Sequence, residues 1–272
     1  MTRLGDNTWG KSAVRISKLH RGSGEDRFSE LTVGILLEGD VDDAYRLGDN
    51  TAVLPTDTMR NTVYVIAQEH LDDDLEGFGT TLAAHFLTRE SVVSARVEVA
   101  ERSWFRVTPT GFLGGSSEMR IARVDATEDN HSVKAGIEGL QVLKTTGSAF
   151  EGFPRDELTT LPEKDDRVLA TTIAADWLYD PLPADTTATW GRIREVLLER
   201  FFEDWSASVQ HQGWQMGEAV LEAVAEVAEV TFRLPNQHHL SFDFGKVGVE
   251  DRGEVFHPVS EPYGDIRFTV VR

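Results

Sequence analysis

An alternation of apolar and polar side chains is clearest in residues 30–37, which read Glu30-Leu31-Thr32-Val33-Gly34-Ile35-Leu36-Leu37. Successive side chains on a strand point to opposite faces of a sheet, so this period of two predicts a strand that buries one face. Sequential strands with short connections favour antiparallel pairing, with helices gathered on one face. We therefore expect an α+β fold rather than a doubly wound one.

The period of hydrophobicity changes several times along the chain. Two expected strands in residues 14–37 are followed by helical spacing in residues 59–86 and by alternation again in residues 93–124. The same order recurs in the second half, where helical spacing lies between alternating stretches. The pattern predicts a duplicated strand-strand-helix-helix-strand-strand unit, with the first unit at 1–130 and the second at 131–272.

Two local features are expected from residue type alone. Thr56 or Asp57 is expected to cap the first long helix, because a short oxygen-bearing side chain can accept from the free amides of a helix start. The glycine-rich residues 111–115 are expected to form a loop between two strands.

Charge and composition exclude several classes of function. The 272 residues include 27 Lys and Arg against 46 Asp and Glu, a formal net charge of -19, which repels nucleic acids and anionic membranes. The chain has no cysteine, so disulfides and thiol nucleophiles are excluded. No apolar run approaches the roughly 20 residues of a membrane span. No apolar signal core begins the sequence, and a cytoplasmic location is expected.

Metal and nucleotide signatures are missing as well. The sequence has no glycine-rich phosphate loop and no paired histidines at helical spacing. His238 and His239 are adjacent on an expected strand, so they point to opposite faces and cannot easily share one metal ion. We expect chemistry with no metal and no cofactor.

Six ordered motifs nevertheless stand out together, although each of their polar residues has an ordinary structural interpretation when taken alone. The motifs occupy residues 9–15, 54–62, 139–157, 166–171, 206–210 and 234–239. In this order and context they resemble the urate oxidase family over nearly the whole chain. The resemblance implies the tunnelling fold (T-fold), in which two duplicated antiparallel units assemble into an oligomeric β-barrel with the helices outside. It also implies a homo-oligomer, a tetramer, with active sites at subunit interfaces.

The activity implied by the resemblance is oxidation of urate by dioxygen and water to 5-hydroxyisourate and hydrogen peroxide, without a cofactor. Phe150 would stack on the flat purine, and Arg167 would offer a planar fork of donors. Gln210 would bind the opposite edge of the ring, beside a wall that includes Val209.

A base and a proton relay are implied for the same site. Equivalents of Lys11, Thr56 and His238 form the relay in the family, since a lysine can act as a base and a hydroxyl both donates and accepts protons. Asn236 together with Thr56 would hold dioxygen and then water, and Asp57 would contact the substrate through its backbone amide. Lys11, Thr56 and Asp57 would come from one subunit, and its neighbour would supply Phe150, Arg167, Gln210 and Asn236.

The sequence also departs from the family pattern and leaves alternatives open. Trp9 stands where a tyrosine is common, Glu151 follows Phe150 where a larger ring or a histidine is often seen, and Gln237 replaces a frequent lysine. One alternative is a T-fold enzyme that processes pterins or guanine nucleotides with zinc, which the absence of cysteine disfavours. Another is a purine-binding T-fold protein without catalysis.

Overall fold

Pairs of strands and pairs of helices alternate along the chain. The computed structural model describes residues 2–21, 24–72 and 74–272, and only the backbone of Ser116 and Ser260. In chain order the elements are β1 (Trp9–His20), β2 (Arg27–Gly39), α1 (Asp42–Arg46), α2 (Thr56–His70), α3 (Leu75–Leu87), β3 (Val92–Thr108), β4 (Gly111–Thr127), β5 (His131–Lys144), β6 (Leu169–Tyr179), α4 (Thr186–Glu203), α5 (Val209–Ala223), β7 (Val227–Ser241), a short 3-10 helix (Phe244–Val247) and β8 (Phe256–Val271).

All the described strands belong to one sheet. The sheet has eight strands in the order β1 to β8, and each neighbouring pair is antiparallel. β1 and β8 are its edges. The expected α+β class and the duplicated order of elements are therefore confirmed. Residue 130 lies in the turn between β4 and β5, which pair directly, so the proposed boundary there divides the sequence but not the sheet. That boundary stays a prediction.

The helices cover one face of the sheet. Helix α2 packs on β1 and α3 packs mainly on β3 and β4, whereas α4 packs on β5 and α5 packs on β7 and β8. The alternation in residues 30–37 puts Leu31, Val33, Ile35 and Leu37 into this helix-covered core, each with at most 1% of its surface exposed. Burying one such side chain contributes roughly 1.5–3 kcal/mol.

The opposite face of the sheet is polar and carries ion pairs between neighbouring strands. Arg96 and Arg123 share Asp125, and Lys134 contacts both Asp176 and Glu229. Such a face can remain in contact with water, because each charge is screened or paired. None of the described helices is long and apolar enough to cross a bilayer.

Two local expectations are wrong. Helix α2 begins with Pro55 as its N-cap and has no side-chain cap, so neither Thr56 nor Asp57 caps it. Both residues lie inside the first helical turn, Thr56 one position and Asp57 two positions too late to cap it. Residues 111–115 are not a loop but the start of β4, and Gly114 lies opposite Trp104 on β3. The small glycines leave room for this large ring, so the strand continues through them.

A buried ion pair of the first sequence repeat lies on the helical side, where hydrogen bonds connect it and its surroundings to the second repeat. Glu76 of α3 is fully buried, and its Oε2 lies 2.7 Å from Nη2 of Arg120 on β4. Arg120 Nη1 donates to the Thr187 hydroxyl of α4 at 3.2 Å, and the Thr186 hydroxyl donates to Asp74 at 2.8 Å. Burial raises the pKa of Glu76, and the Arg120 guanidinium opposes this effect.

We expect Arg120→Met to lower the free energy of unfolding by about 3–5 kcal/mol, because it leaves a buried carboxylate without its cation. The double variant Glu76→Leu, Arg120→Met should recover most of this loss. Arg192→Met, an exposed arginine on α4, serves as the control and should change stability by less than about 0.5 kcal/mol. Denaturant titration measures all three. A double variant as unstable as the single one would contradict the pairing argument.

Candidate active site

One cluster of candidate residues lies where β1 meets the start of α2. The Trp9 indole nitrogen on β1 donates to the carbonyl of Leu54 at 3.2 Å, which holds the segment before α2 against the first strand. Lys11 follows two residues later and is partly buried. The described part of the chain offers its amine no hydrogen-bond acceptor and no carboxylate. The structure thus brings Lys11, Thr56 and Asp57 to one corner of the sheet, where the Trp9 hydrogen bond connects β1 to the segment before α2.

The start of α2 exposes backbone donors. The first amides of a helix have no partner within the helix, and no side chain caps them in α2. The Asp57 carboxylate is turned back along its own helix, where it pairs with Arg60 at 2.8 Å and accepts from Asn61 at 3.3 Å. This leaves the helix start as a set of donors suited to an anionic or carbonyl oxygen.

A second cluster contains Phe150 and Arg167, which stand at the two ends of a long excursion between β5 and β6. Phe150 and Lys164 exchange two backbone hydrogen bonds of 2.7 and 3.1 Å, which close this excursion. The guanidinium carbon of Arg167 lies 5.9 Å from the centre of the Phe150 ring. Phe153 stacks on one face of that ring at 4.9 Å, so a flat ligand can use only the other face.

Arg167 has no acidic partner among the residues that the structure describes. Although Asp165 and Asp166 directly precede it in the sequence, no described carboxylate forms an ion pair with its guanidinium. Its Nε donates to the carbonyl of Ala149 at 3.4 Å. Burial lowers the pKa of Arg167. In a chain with 46 acidic residues, an unpaired and partly buried guanidinium beside an aromatic ring is a feature typical of a binding site.

Val209 and Gln210 are brought to the same cluster by a short parallel pairing. The amide of Ala149 donates to Ser206 at 2.8 Å, and the Ser206 amide donates to Gly147 at 3.0 Å. α5 begins three residues after Ser206, at Val209. The Val209 side chain is 3% exposed and belongs to the core, whereas Gln210 is exposed and free to contact a ligand.

Two buried polar residues that the sequence interpretation missed support this region. Lys144 Nζ donates at 2.6 Å both to the carbonyl of Asp204 and to Oε1 of Gln212. Gln212 Nε2 donates in turn to the carbonyl of Arg200 at 2.8 Å. Together they satisfy carbonyls at the end of α4 and hold the connection to α5. Burial lowers the pKa of Lys144.

A sequence signal for these two residues existed. Lys144 follows Leu140 and Val142 in the alternation of β5, which puts its side chain on the apolar face. Gln212 shares its helix face with Val209 and Met216. A polar residue in phase with an apolar stripe is expected to have a specific partner, because burial without one is costly.

Asn236 and His238 lie on β7 next to the start of β6. Gln237, between them, is opposite Ala170, and its amide donates to the Thr172 hydroxyl at 3.0 Å. Asn236 Oδ1 is buried and has no hydrogen-bond partner within the described residues. His238 is partly buried and pairs with Val259 of β8. An acceptor that is buried and unpartnered is available to a bound ligand or water.

The two clusters lie far apart within one chain. The pairing register connects Lys11 across the sheet to Tyr179 at the far end of β6, whereas Arg167 precedes the first residue of that strand. β6 has 11 residues, roughly 33 Å at about 3.3 Å per residue, and β1 and β6 are five strand spacings apart, roughly 24 Å. Both clusters can serve one site only if two chains contribute to it.

No group of three or more metal-ligating side chains converges anywhere in the described ranges.

Comparison with known proteins shows to which family the sequence is similar. The family model described as Uricase matches residues 7–132 and 133–267.

Curated relatives and a solved structure agree with the family model. The uricase of Arthrobacter globiformis is 38% identical over 278 residues, which cover 99% of this chain and 90% of that protein. The uricase of Aspergillus flavus is 36% identical over 287 residues, which cover 97% and 95%. The crystal structure of uricase from Arthrobacter globiformis superposes with a TM-score of 0.97 at 37% identity, covering 100% of this chain and 96% of that chain.

Proposed function

Because this chain belongs to the uricase family and is a urate oxidase, we propose that it oxidises urate without metal or cofactor, at sites built by two subunits. Urate, dioxygen and water give 5-hydroxyisourate and hydrogen peroxide. Urate loses two electrons and gains a hydroxyl at carbon 5, and dioxygen takes up the two electrons and two protons. Dioxygen reacts in this way with an electron-rich anion, so the protein must bind urate and remove its protons.

The second cluster is the proposed binding surface for the purine. The single observation that carries the proposal is the guanidinium of Arg167, which forms no ion pair with a described carboxylate and lies 5.9 Å from the centre of the Phe150 ring, on which Phe153 leaves one face for a flat ligand. Urate would stack on that face, with its carbonyl and ring nitrogen bound by the fork of Arg167. Gln210, at the start of α5, would bind the opposite edge, and the backbone at Val209 would complete the wall.

The first cluster contributes Lys11 and Thr56 to the proposed proton relay, and β7 contributes His238. Lys11 would act as the base, and the Thr56 hydroxyl would pass protons between it and the substrate, with His238 as the further member of the chain. The Lys11 amine, which has neither an acceptor nor a carboxylate partner among the described residues, and the uncapped start of α2 support this role. The Asp57 amide would contact the substrate edge, since its carboxylate is held by its own helix.

Asn236 is proposed to hold dioxygen, and later the attacking water, together with Thr56. The support is its buried Oδ1, which lacks a partner in the described structure and can accept from a water molecule. The amide nitrogen of the same side chain is a donor and can stabilise negative charge that develops on reduced oxygen.

Assembly of the site requires more than one subunit. β1 and β8 are open edges, and a second chain can cover them while it places its first cluster against the second cluster of its neighbour. The assembly that we propose is a cytoplasmic homotetramer, as the family resemblance implies. The pterin-processing and binding-only alternatives are not favoured by the relatives.

The first experiment follows urate and peroxide together. We expect protein treated with a strong chelator and then dialysed to remove urate's ultraviolet absorbance at the untreated rate, with one hydrogen peroxide released per urate. Elemental analysis should find no stoichiometric transition metal. Loss of activity that returns only when a metal is added would overturn the cofactor-free mechanism.

Substitutions in the two clusters should separate turnover from binding. Lys11→Met should lower kcat by about 10²–10⁴ with a small change in KM, because it removes a base. Arg167→Lys should raise KM at least about tenfold, because an ammonium cannot reproduce the planar fork. Lys246→Met, an exposed lysine in the 3-10 helix, is the control. Equal losses in kcat and affinity for Lys11→Met would instead identify a structural lysine.

Mixed assemblies should test whether one site spans two chains. Lys11→Met and Arg167→Ala subunits should each be nearly inactive alone, whereas co-expression should restore about a quarter of the wild-type activity. In random assemblies about one site in four pairs an intact first cluster with an intact second cluster. A co-expressed mixture as inactive as the separate variants would show that the two clusters do not meet between subunits.

A further inference from the structure

Asp166 lies at the base of the long connection between β5 and β6, which carries the proposed purine-binding surface. We call this base the neck, and it is the place where residues 146–150 and 164–167 run side by side. The two sides of the neck come from the end of β5 and the start of β6, and they are closed by the backbone pair of Phe150 and Lys164. We propose that the Asp166 carboxylate is a positioning residue that sets Phe150 and Arg167 at the separation and angle urate requires. This inference rests on the proposed function, in which these two side chains hold the purine.

The carboxylate accepts hydrogen bonds from both sides of the neck. On the β5 side, Oδ2 accepts from the Thr146 hydroxyl, and Oδ1 accepts from the amide of Gly147 at 2.8 Å. The amide of Ser148 lies at a longer 3.4 Å. On the β6 side, Oδ1 accepts from the amide of Arg167 itself at 3.1 Å. One side chain therefore holds the two backbone segments from which the binding side chains project.

The position of Arg167 depends on this arrangement more directly than that of any other ligand-binding candidate. Its amide has two acceptors, the Ser148 carbonyl at 2.8 Å and Asp166 Oδ1. Ser148 is in turn two residues before Phe150. A shift of the Thr146 to Ser148 segment would consequently move the aromatic ring and the guanidinium relative to each other, although the Arg167 guanidinium forms no ion pair with the Asp166 carboxylate in the described structure.

An ionised carboxylate is required for this role. Hydrogen bonds to a charged acceptor are stronger than neutral ones, and only a carboxylate can accept at both oxygens. The hydrogen bond from Thr146, with those from the backbone amides, holds the pKa of Asp166 below its ordinary value. An asparagine would keep one acceptor oxygen but would present a donor to the Thr146 hydroxyl.

The test compares four variants with the wild-type tetramer. Asp166→Ala removes all the bonds, Asp166→Asn keeps the acceptor for Gly147 and Arg167, and Thr146→Val removes one donor. Glu151→Gln is the matched control, because it removes the same charge one residue after Phe150, where the structure shows no side-chain hydrogen bond. KM and kcat for urate, the Kd of urate without dioxygen, and the melting temperature are measured for each.

We expect KM and the anaerobic Kd to rise together, about 10- to 100-fold for Asp166→Ala and less for Asp166→Asn and Thr146→Val. Each strong hydrogen bond lost accounts for roughly a factor of ten. The value of kcat at saturating urate should fall by less than about threefold, because Lys11 belongs to the other subunit. Glu151→Gln should leave KM unchanged or lower it. A folding defect would instead lower the fraction of active protein and the melting temperature, without raising KM and Kd at a nearly constant kcat.

The outcomes separate this inference from the function on which it rests. A wild-type protein that does not oxidise urate would overturn the proposed function. An active wild type whose Asp166 variants keep its KM and Kd would overturn only the positioning role. If Asp166→Ala does not fold, Asp166→Asn and Thr146→Val decide the question. A rise in KM as large for Glu151→Gln as for Asp166→Asn would mean that charge, rather than positioning, is responsible, and would also overturn the inference.

Discussion

The antiparallel register of a single eight-stranded sheet is the constraint on which the rest of this structure depends. Each strand pairs with the next one in the chain, so the first and sixth strands are held five positions apart. Lys11 and Arg167 consequently occupy opposite corners of the sheet, and no local motion of a loop can close that distance. A site that needs a base and an anion-binding arginine must therefore be completed by a second chain.

The cations at those two corners are distinctive within an acidic chain. The net charge of -19 repels an anionic substrate at long range, and Arg96, Arg123, Arg233 and Arg267 are each paired with a carboxylate on the open face of the sheet. Lys11 and Arg167 have no such partner among the described residues. Leaving them without acidic partners keeps their charge available at short range, where a partly buried site screens it less than bulk water does.

The binding corner is organised by polar groups rather than by the hydrophobic core alone. Asp166 ties the two sides of the neck beside Phe150, and Lys144 with Gln212 holds the connection from α4 to α5. These contacts fix backbone segments with directional bonds, whereas apolar packing tolerates small sliding movements. The directional bonds can therefore position α4, α5, the connection between β5 and β6 and the end of β5 with the accuracy that recognition of a flat purine requires.

The sequence by itself determined the class of fold, the duplicated order of elements and the family, because periods of two and 3.6 and ordered motifs are local properties. Local reasoning was wrong about the cap of α2 and the glycines of β4, where Pro55 and the large ring of Trp104 decide the conformation. Only the tertiary structure showed that Arg167 has no acidic partner in the described part of the chain, despite its two acidic neighbours, and that the two clusters are too far apart to meet in one chain. Strand register decides which charged side chains pair and how far apart two residues lie across the sheet. It brings together residues that are distant along the chain, so the spacing of residues in the sequence does not reveal these relations.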